Sequence, residues 1–178
     1  MNNNEDSGRP SGYRLKGTLR ERIVEMIDVV SIGSYVDLDK TRELYSQAKV
    51  LLFPKGEKFI ARYGFLFSSM YPSFENEEDD YDFRFDIYED FPEEEQIPAL
   101  REAGGEDSKM LSTVKSVAGC NITPVGVFGC GDCAIVYAGE DGKLYAIHEP
   151  HSKVDAYDSI VDLLETELRD YIPISLVD

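Results

Sequence analysis

Apolar residues recur every three or four positions in five parts of the chain, the spacing that places them on one face of an α-helix. Residues that favour helix ends flank several of these parts: Thr18 before the first, an aspartate before the second, and glycine after the third and fourth. The five predicted helices follow Thr18, begin near Asp37 or Asp39, end at Gly64, end at Gly119, and run from about Asp155 to Tyr171. Their predicted apolar faces include Leu44, Ala48 and Leu51 in the second, and Met110, Leu111, Val114 and Val117 in the fourth.

Between these helices the apolar period changes to two, which indicates β-strands. The predicted strands are FLFSSMY from Phe65, YDFRFDIY from Tyr81, ITPVGVFG from Ile122, and two runs joined by GEDG at residues 139–142. Asp141-Gly142 favours a hairpin, because these residue types adopt positive φ readily. In YDFRFDIY the alternation directs Tyr81, Phe83, Phe85 and Ile87 to the core, and Asp82, Arg84, Asp86 and Tyr88 outward.

The predicted order of elements is three helices, two strands, a helix, three strands and a final helix. Short links join most neighbouring strands, so the expected fold class is α+β, a single domain with a mostly antiparallel β-sheet flanked by helices. Residues 1–17 are largely polar and rich in Gly and Pro, and they are predicted to be a flexible N-terminal tail. Residues 18–178 form the predicted domain.

The 178-residue chain carries 35 Asp and Glu against 18 Lys and Arg, a formal net charge of −17. Such a field disfavours nucleic acid and anionic membranes as partners and favours basic proteins. The sequence contains no apolar run long enough to span a bilayer and no signal-peptide pattern at its start. With three cysteines, an odd number, it lacks a disulfide framework, and a reducing cytoplasm is the expected location.

Several motifs are candidate sites of catalysis or metal binding. The CGDC sequence holds Cys130 and Cys133 at redox or zinc spacing, with Cys120, His148 or His151 as further candidate ligands. No second CxxC follows, and the motif precedes a hairpin rather than a helix, so incidental thiols in a glycine turn are the favoured interpretation. His148 and His151 lack a nearby nucleophile, and neither an EF-hand nor a phosphate-binding loop is present. The sequence therefore predicts no catalytic residue, metal ligand or cofactor.

The densest charge lies in ENEEDDYDFRFDIYEDFPEEE, residues 75–95, where twelve residues are acidic and Arg84 is the only base. Carboxylates packed this closely repel one another unless a positive group neutralises them, and tyrosine is frequent at interfaces. The alternative interpretation is that the segment forms a pair of acidic loops that are exposed to solvent and bind no specific partner. The predicted partner-binding residues are Glu77, Glu78, Asp79, Asp80, Tyr81, Asp82, Asp86, Tyr88, Glu89, Asp90, Phe91, Glu93 and Glu94.

The order of motifs resembles that of the SUKH superfamily, in its third subgroup. LLFPKGEKFIARYGFL resembles the helix before the family's first strand, DFRFD the strand that follows, ITPVGVFGCGDCAIVYAGEDGKLYAI its strand–turn–hairpin block, and SIVDLLETEL its closing helix. The resemblance covers about Thr18 to Leu168. It does not extend to the GCGDC turn or to the dense carboxylates.

The resemblance implies an α+β binding module without catalytic residues. Many family members are immunity proteins of bacterial polymorphic toxin systems, which protect the producing cell by binding a cognate toxin, often a nuclease. The expected function is therefore one-to-one neutralisation of a toxin domain, with the acidic strand filling a basic nuclease cleft. Two alternatives stay open: a SUKH-type adaptor or regulatory domain with a non-toxin partner, and a metal or thiol enzyme that uses the CGDC turn.

Overall fold

The computed structural model describes residues 18–30, 36–64, 85–128, 134–148 and 153–169. The helices are α1 (Leu19–Val30), α2 (Leu38–Ala48), α3 (Pro54–Tyr63), α4 (Glu93–Gly104), α5 (Lys109–Ala118) and α6 (Ile160–Arg169), with a 3₁₀-helix at Tyr88–Asp90. The strands are β1 (Phe85–Asp86), β2 (Ile122–Phe128), β3 (Ala134–Gly139), β4 (Leu144–His148) and β5 (Lys153–Tyr157).

The five strands form one antiparallel sheet in which each strand pairs with its neighbour in sequence, in the order β1-β2-β3-β4-β5. The predicted hairpin joins β3 to β4, and Gly142 adopts the positive φ of 94° that its turn requires. The Asp141 carboxylate accepts hydrogen bonds from the Lys143 amide and from the Tyr145 hydroxyl, which fixes the turn. The α+β class with an antiparallel sheet flanked by helices is confirmed.

Helices cover both faces of this sheet. On β3, Val136 and Ala138 contribute to a large core shared with α1, α2, α3, α4 and α6, whereas Tyr137 contributes to a smaller core on the other face. Val114 of α5 is fully buried in that smaller core. Because successive side chains of a strand point to opposite faces, the short apolar β3 supplies both cores at once.

The helix ends follow the capping residues in the sequence. Thr18 and Glu21 bond reciprocally at the start of α1, and the Asp37 carboxylate accepts from two amides at the start of α2. The Ser108 hydroxyl accepts from the Leu111 amide at the start of α5, and Gly119 ends that helix with φ 67°. The predictions for these helices are confirmed.

Two predicted apolar positions are wrong. Leu51 lies beyond the end of α2 and is 57% exposed, because the chain turns at Lys49. Val117 is 56% exposed, because α5 directs Val114 rather than Val117 into the smaller core.

Two elements differ from the sequence prediction. The helix α4 was not predicted; it begins with three glutamates and has Pro98 inside it, so its apolar period is weak. The helix predicted from Asp155 begins at Ile160 instead, and residues 153–157 form β5, which pairs along β4. Pairing with β4 thus holds these residues in a strand, although their local sequence pattern favours a helix.

Some predictions fall on parts of the chain that the structure does not describe: the tail at residues 1–17, the strand FLFSSMY and the helix end at Tyr171. Within the described ranges, no helix is long and apolar enough to cross a membrane.

Lys49 provides a test of how this chain ends a helix. It lies at φ 57°, a left-handed conformation that costs a residue with a Cβ more than glycine, and it occupies the position after α2 where glycine is usual. We expect Lys49→Gly to raise the free energy of unfolding by about 0.5–1 kcal/mol, after allowance for the greater freedom of glycine in the unfolded chain. Urea denaturation measures this change.

Gly119 is the matched control for that measurement. It has φ 67° after α5, and a Cβ added there would meet no atom within 4 Å, so Gly119→Ala adds backbone strain without a packing clash. This substitution should lower the free energy of unfolding by about 1 kcal/mol. If Lys49→Gly destabilises the protein, the interpretation of Lys49 as strained is wrong.

Candidate functional site

The structure describes only part of the predicted binding segment. Asp86 is described as backbone, in β1. The residues Glu77, Glu78, Asp79, Asp80, Tyr81 and Asp82 lie outside the described residues. The remaining candidates lie in one continuous piece, residues 88–95, which consists of the 3₁₀-helix, a two-residue link and the first turn of α4; they are Tyr88, Glu89, Asp90, Phe91, Glu93 and Glu94. We call residues 88–95 the acidic turn.

The described part of the predicted strand ends at Asp86, two residues before the sequence pattern ends, and this changes the role of Tyr88. The described part of the strand is only Phe85–Asp86, and Ile87 is buried as predicted. Tyr88 was expected to face outward as a contact residue, but it is only 2% exposed. The chain turns into the 3₁₀-helix after Ile87, so the period of two no longer applies. Tyr88 is therefore an anchor of the acidic turn and not an exposed contact.

Aromatic packing holds this anchor. The Tyr88 ring meets the Tyr45 ring of α2 edge-on at 6.5 Å, and it packs against the half-buried Phe91 ring at 5.6 Å. The Tyr45 hydroxyl donates to the Pro124 carbonyl of β2. The Tyr88 hydroxyl is fully buried and has no hydrogen-bond partner among the described residues. Burial raises the pKa of both tyrosines, so both hydroxyls remain protonated.

Hydrogen bonds fix the backbone of the acidic turn. The Asp90 carboxylate accepts from the Ile87 amide at 3.2 Å, which closes the 3₁₀-helix. The Gln96 side chain donates to the Glu89 and Phe91 carbonyls at 3.1 and 2.9 Å, and so joins α4 to the turn. The buried Thr41 hydroxyl of α2 donates to the Glu89 carboxylate.

Sequence reasoning missed Thr41 and Gln96 as positioning residues. Thr41 lies 48 residues from Glu89, so only the packing of α2 against this part of the chain brings them together. The sequence around Gln96 gives no indication of its positioning role, because the helix that carries Gln96 was not predicted.

The charges of the acidic turn differ in exposure. Glu93, Glu94 and Glu95 are exposed in the first turn of α4, where the helix dipole stabilises negative charge, and they form no ion pair with any described cation. Glu89 is half-buried, and this burial raises the pKa of its carboxyl, whereas the hydrogen bond from Thr41 opposes the rise. The exposed glutamates are thus the charges that a partner can reach.

The candidate residues for catalysis and metal binding form no assembled site within the described part of the chain. Cys130, Cys133 and His151 lie outside the described residues, and Cys120 is a half-buried free thiol. His148 at the end of β4 contacts Glu167 of α6, with 3.2 Å between Nε2 and Oε1.

The Tyr157 hydroxyl donates to the same Glu167 oxygen at 2.7 Å, so His148, Glu167 and Tyr157 connect the sheet to α6. Among the described residues no group of three His, Cys, Asp or Glu side chains is placed to hold a metal ion.

No protein-family model, curated protein or solved structure matches the chain. The resemblance of its motifs to the SUKH superfamily therefore stays a prediction.

The unpartnered hydroxyl of Tyr88 predicts an unusual response to substitution. In Tyr88→Phe the ring packing is kept and a desolvated hydroxyl is removed, so we expect the free energy of unfolding to stay unchanged or rise by up to about 1 kcal/mol. Tyr45→Phe is the matched control, because it removes the donor to the buried Pro124 carbonyl and should cost about 1–2 kcal/mol. Urea denaturation distinguishes them; equal losses for both would contradict this account of Tyr88.

The raised pKa of Glu89 predicts a pH dependence of stability. The folded chain keeps a proton on Glu89 at pH values where the unfolded chain has lost it, so this contribution is complete below the ordinary value of 4.5 and is lost as pH rises through the folded value. In Glu89→Gln the amide oxygen still accepts from Thr41 but does not titrate. We expect the stability of this variant relative to wild type to increase as pH rises from 4 to 7.

Thermal unfolding at a series of pH values measures this difference. Glu93→Gln, an exposed change in the same turn, controls for the loss of one negative charge. A relative stability of Glu89→Gln that stays constant over this pH range would show that burial of Glu89 has no energetic effect.

Proposed function

We propose that this chain is a non-catalytic immunity protein that binds and neutralises a cognate bacterial toxin domain in a one-to-one complex. The toxin is a basic protein, most simply a nuclease domain, and the acidic turn contributes to the interface with it. The chain acts in the cytoplasm of the producing cell and belongs to the SUKH type of binding module.

The observation that supports this function is the fixed geometry of the exposed carboxylates. Glu93, Glu94 and Glu95 stand on the first turn of a helix whose preceding 3₁₀-helix is anchored by buried Ile87 and Tyr88. Three like charges in adjacent positions repel one another, and a cationic partner relieves that repulsion on binding. Because the backbone is already fixed, binding costs little ordering of the chain.

The charge also suits the proposed partner. A nuclease must hold phosphates, and so it presents basic side chains in its cleft. The net charge of −17 attracts such a surface over long range and speeds association, whereas the fixed turn supplies close charge pairs. A nucleic-acid substrate would be excluded from the cleft by the same contact.

The test begins with the protein encoded by the reading frame beside that of this chain. The two proteins are co-expressed and co-purified, and their affinity is measured by isothermal titration calorimetry at several salt concentrations. In the triple variant Glu93→Gln, Glu94→Gln and Glu95→Gln, we expect affinity to fall at least about tenfold, since one close charge pair contributes on the order of 1.5 kcal/mol or more. The dependence of affinity on salt should also weaken.

The control is a triple variant with the same change of net charge at other exposed sites: Asp28→Asn, Glu140→Gln and Asp158→Asn. It should bind nearly as tightly as wild type. Equal losses in both triple variants would show that only total charge matters, and unchanged affinity in the first would place the interface away from the acidic turn. A neighbouring gene product that is not a toxin would favour an adaptor instead.

A further inference from the structure

A concave surface lies at the opposite end of α4 from the acidic turn. It is a groove of about 920 Å³ between the end of α2, the end of α4 and the start of α5. Glu95 of the acidic turn and Arg101 of the groove are six residues apart on the same helix, about 9 Å along its axis. A protein that docks along α4 would therefore reach both.

The groove brings together charged side chains of both signs. The cations come from three different elements, which is notable in so acidic a chain. They are Lys49 after α2, Arg101 of α4 and Lys109 of α5, and the acids are Glu102, Glu106 and Asp107. Three charges of each sign balance, so the groove has no net preference for a polyanion or a polycation.

Hydrogen bonds hold the walls of the groove in place. The Arg101 side chain donates to the Gln47 carbonyl at 3.0 Å, which ties the end of α4 to the end of α2. The Ser108 hydroxyl donates to the Ala103 carbonyl and accepts from the Leu111 amide, both at 3.1 Å, which ties the end of α4 to the start of α5. A surface fixed in this way needs little rearrangement to bind.

Lys49 supplies an independent reason to assign a role to the groove. Of the described residues other than glycine, it alone has positive φ, and glycine would fit its backbone conformation better. Lys49 is one of the residues that line the groove. Backbone strain of this kind is concentrated at functional sites, so its position supports a role for the groove.

We propose that the groove binds a segment of the partner protein that carries acidic and basic side chains together. The identity of that partner rests on the proposed function, but the groove and its preference for mixed charge do not. The acidic turn would then speed association, whereas paired contacts in the groove would fix the orientation of the partner along α4. Neither a purely basic nor a purely acidic segment would satisfy all the charges in the groove.

Nuclear magnetic resonance titration with defined peptides tests this assignment without the natural partner. The probes are three eight-residue peptides: one of lysine, one of glutamate and one of alternating glutamate and lysine. We expect the alternating peptide to shift the amide signals of residues 49–50 and 105–110 more than either other peptide does. The lysine peptide should instead shift residues 89–96, which tests the acidic turn separately.

Two substitutions should weaken the binding of the alternating peptide about tenfold, a loss typical of a removed charge contact. They are Lys49→Gly, which should also raise the melting temperature, and Lys109→Ala. Lys115→Ala, six residues further along α5, is the control and should bind as wild type does. A purely structural Lys49 would change the melting temperature without changing peptide affinity, and that result would contradict the proposal.

The outcomes separate this inference from the proposed function. A larger groove response to the glutamate peptide than to the alternating peptide would overturn the mixed-charge assignment, as would the absence of any groove response. If the lysine peptide did not shift residues 89–96 while the alternating peptide still shifted the groove residues, the acidic turn would lose support and the groove assignment would stand.

Discussion

The burial of β3 on both of its faces is the constraint on which the rest of the structure depends. Val136 is fully buried on the side of the large core, and Tyr137 is fully buried on the side of α5. If either face of this strand were exposed to water, the protein would lose hydrophobic free energy that it needs to offset the conformational entropy lost on folding. Helices must therefore cover both sides of the sheet, and α4 contributes to the large core with one side.

The position of α4 connects this core to the proposed binding surfaces. Leu100 and Ala103 are fully buried in its second half, and the Ala103 carbonyl accepts from the Tyr137 hydroxyl of β3 at 2.9 Å. The first turn of the same helix carries the exposed glutamates, and its last turn borders the groove. A single helix fixed by the core thus carries two charged surfaces in a set relation to each other. Loops with the same charges would lose more conformational entropy on binding.

Much of the fold could be predicted from local signals, and the differences have physical causes. Capping residues and apolar periods located α1, α2, α3 and α5, and the glycine turn located the β3–β4 hairpin. The sequence pattern places the start of α6 where the structure has β5, because the five residues of β5 show little alternation and their strand conformation depends on pairing with β4. For the candidate site, the exposed glutamates could be predicted from composition, but the burial of Tyr88 and the contact of Thr41 with Glu89 depend on tertiary packing.

We propose that a basic protein binds along α4, beginning at the acidic turn. Hydrogen–deuterium exchange can be compared between the chain alone and the chain in complex with the protein encoded beside it. Binding along α4 should slow exchange in residues 87–96 and in the residues around Lys49 and Ser108, with little change in β5. Slowed exchange confined to β5 and α6, with the acidic turn unchanged, would contradict it.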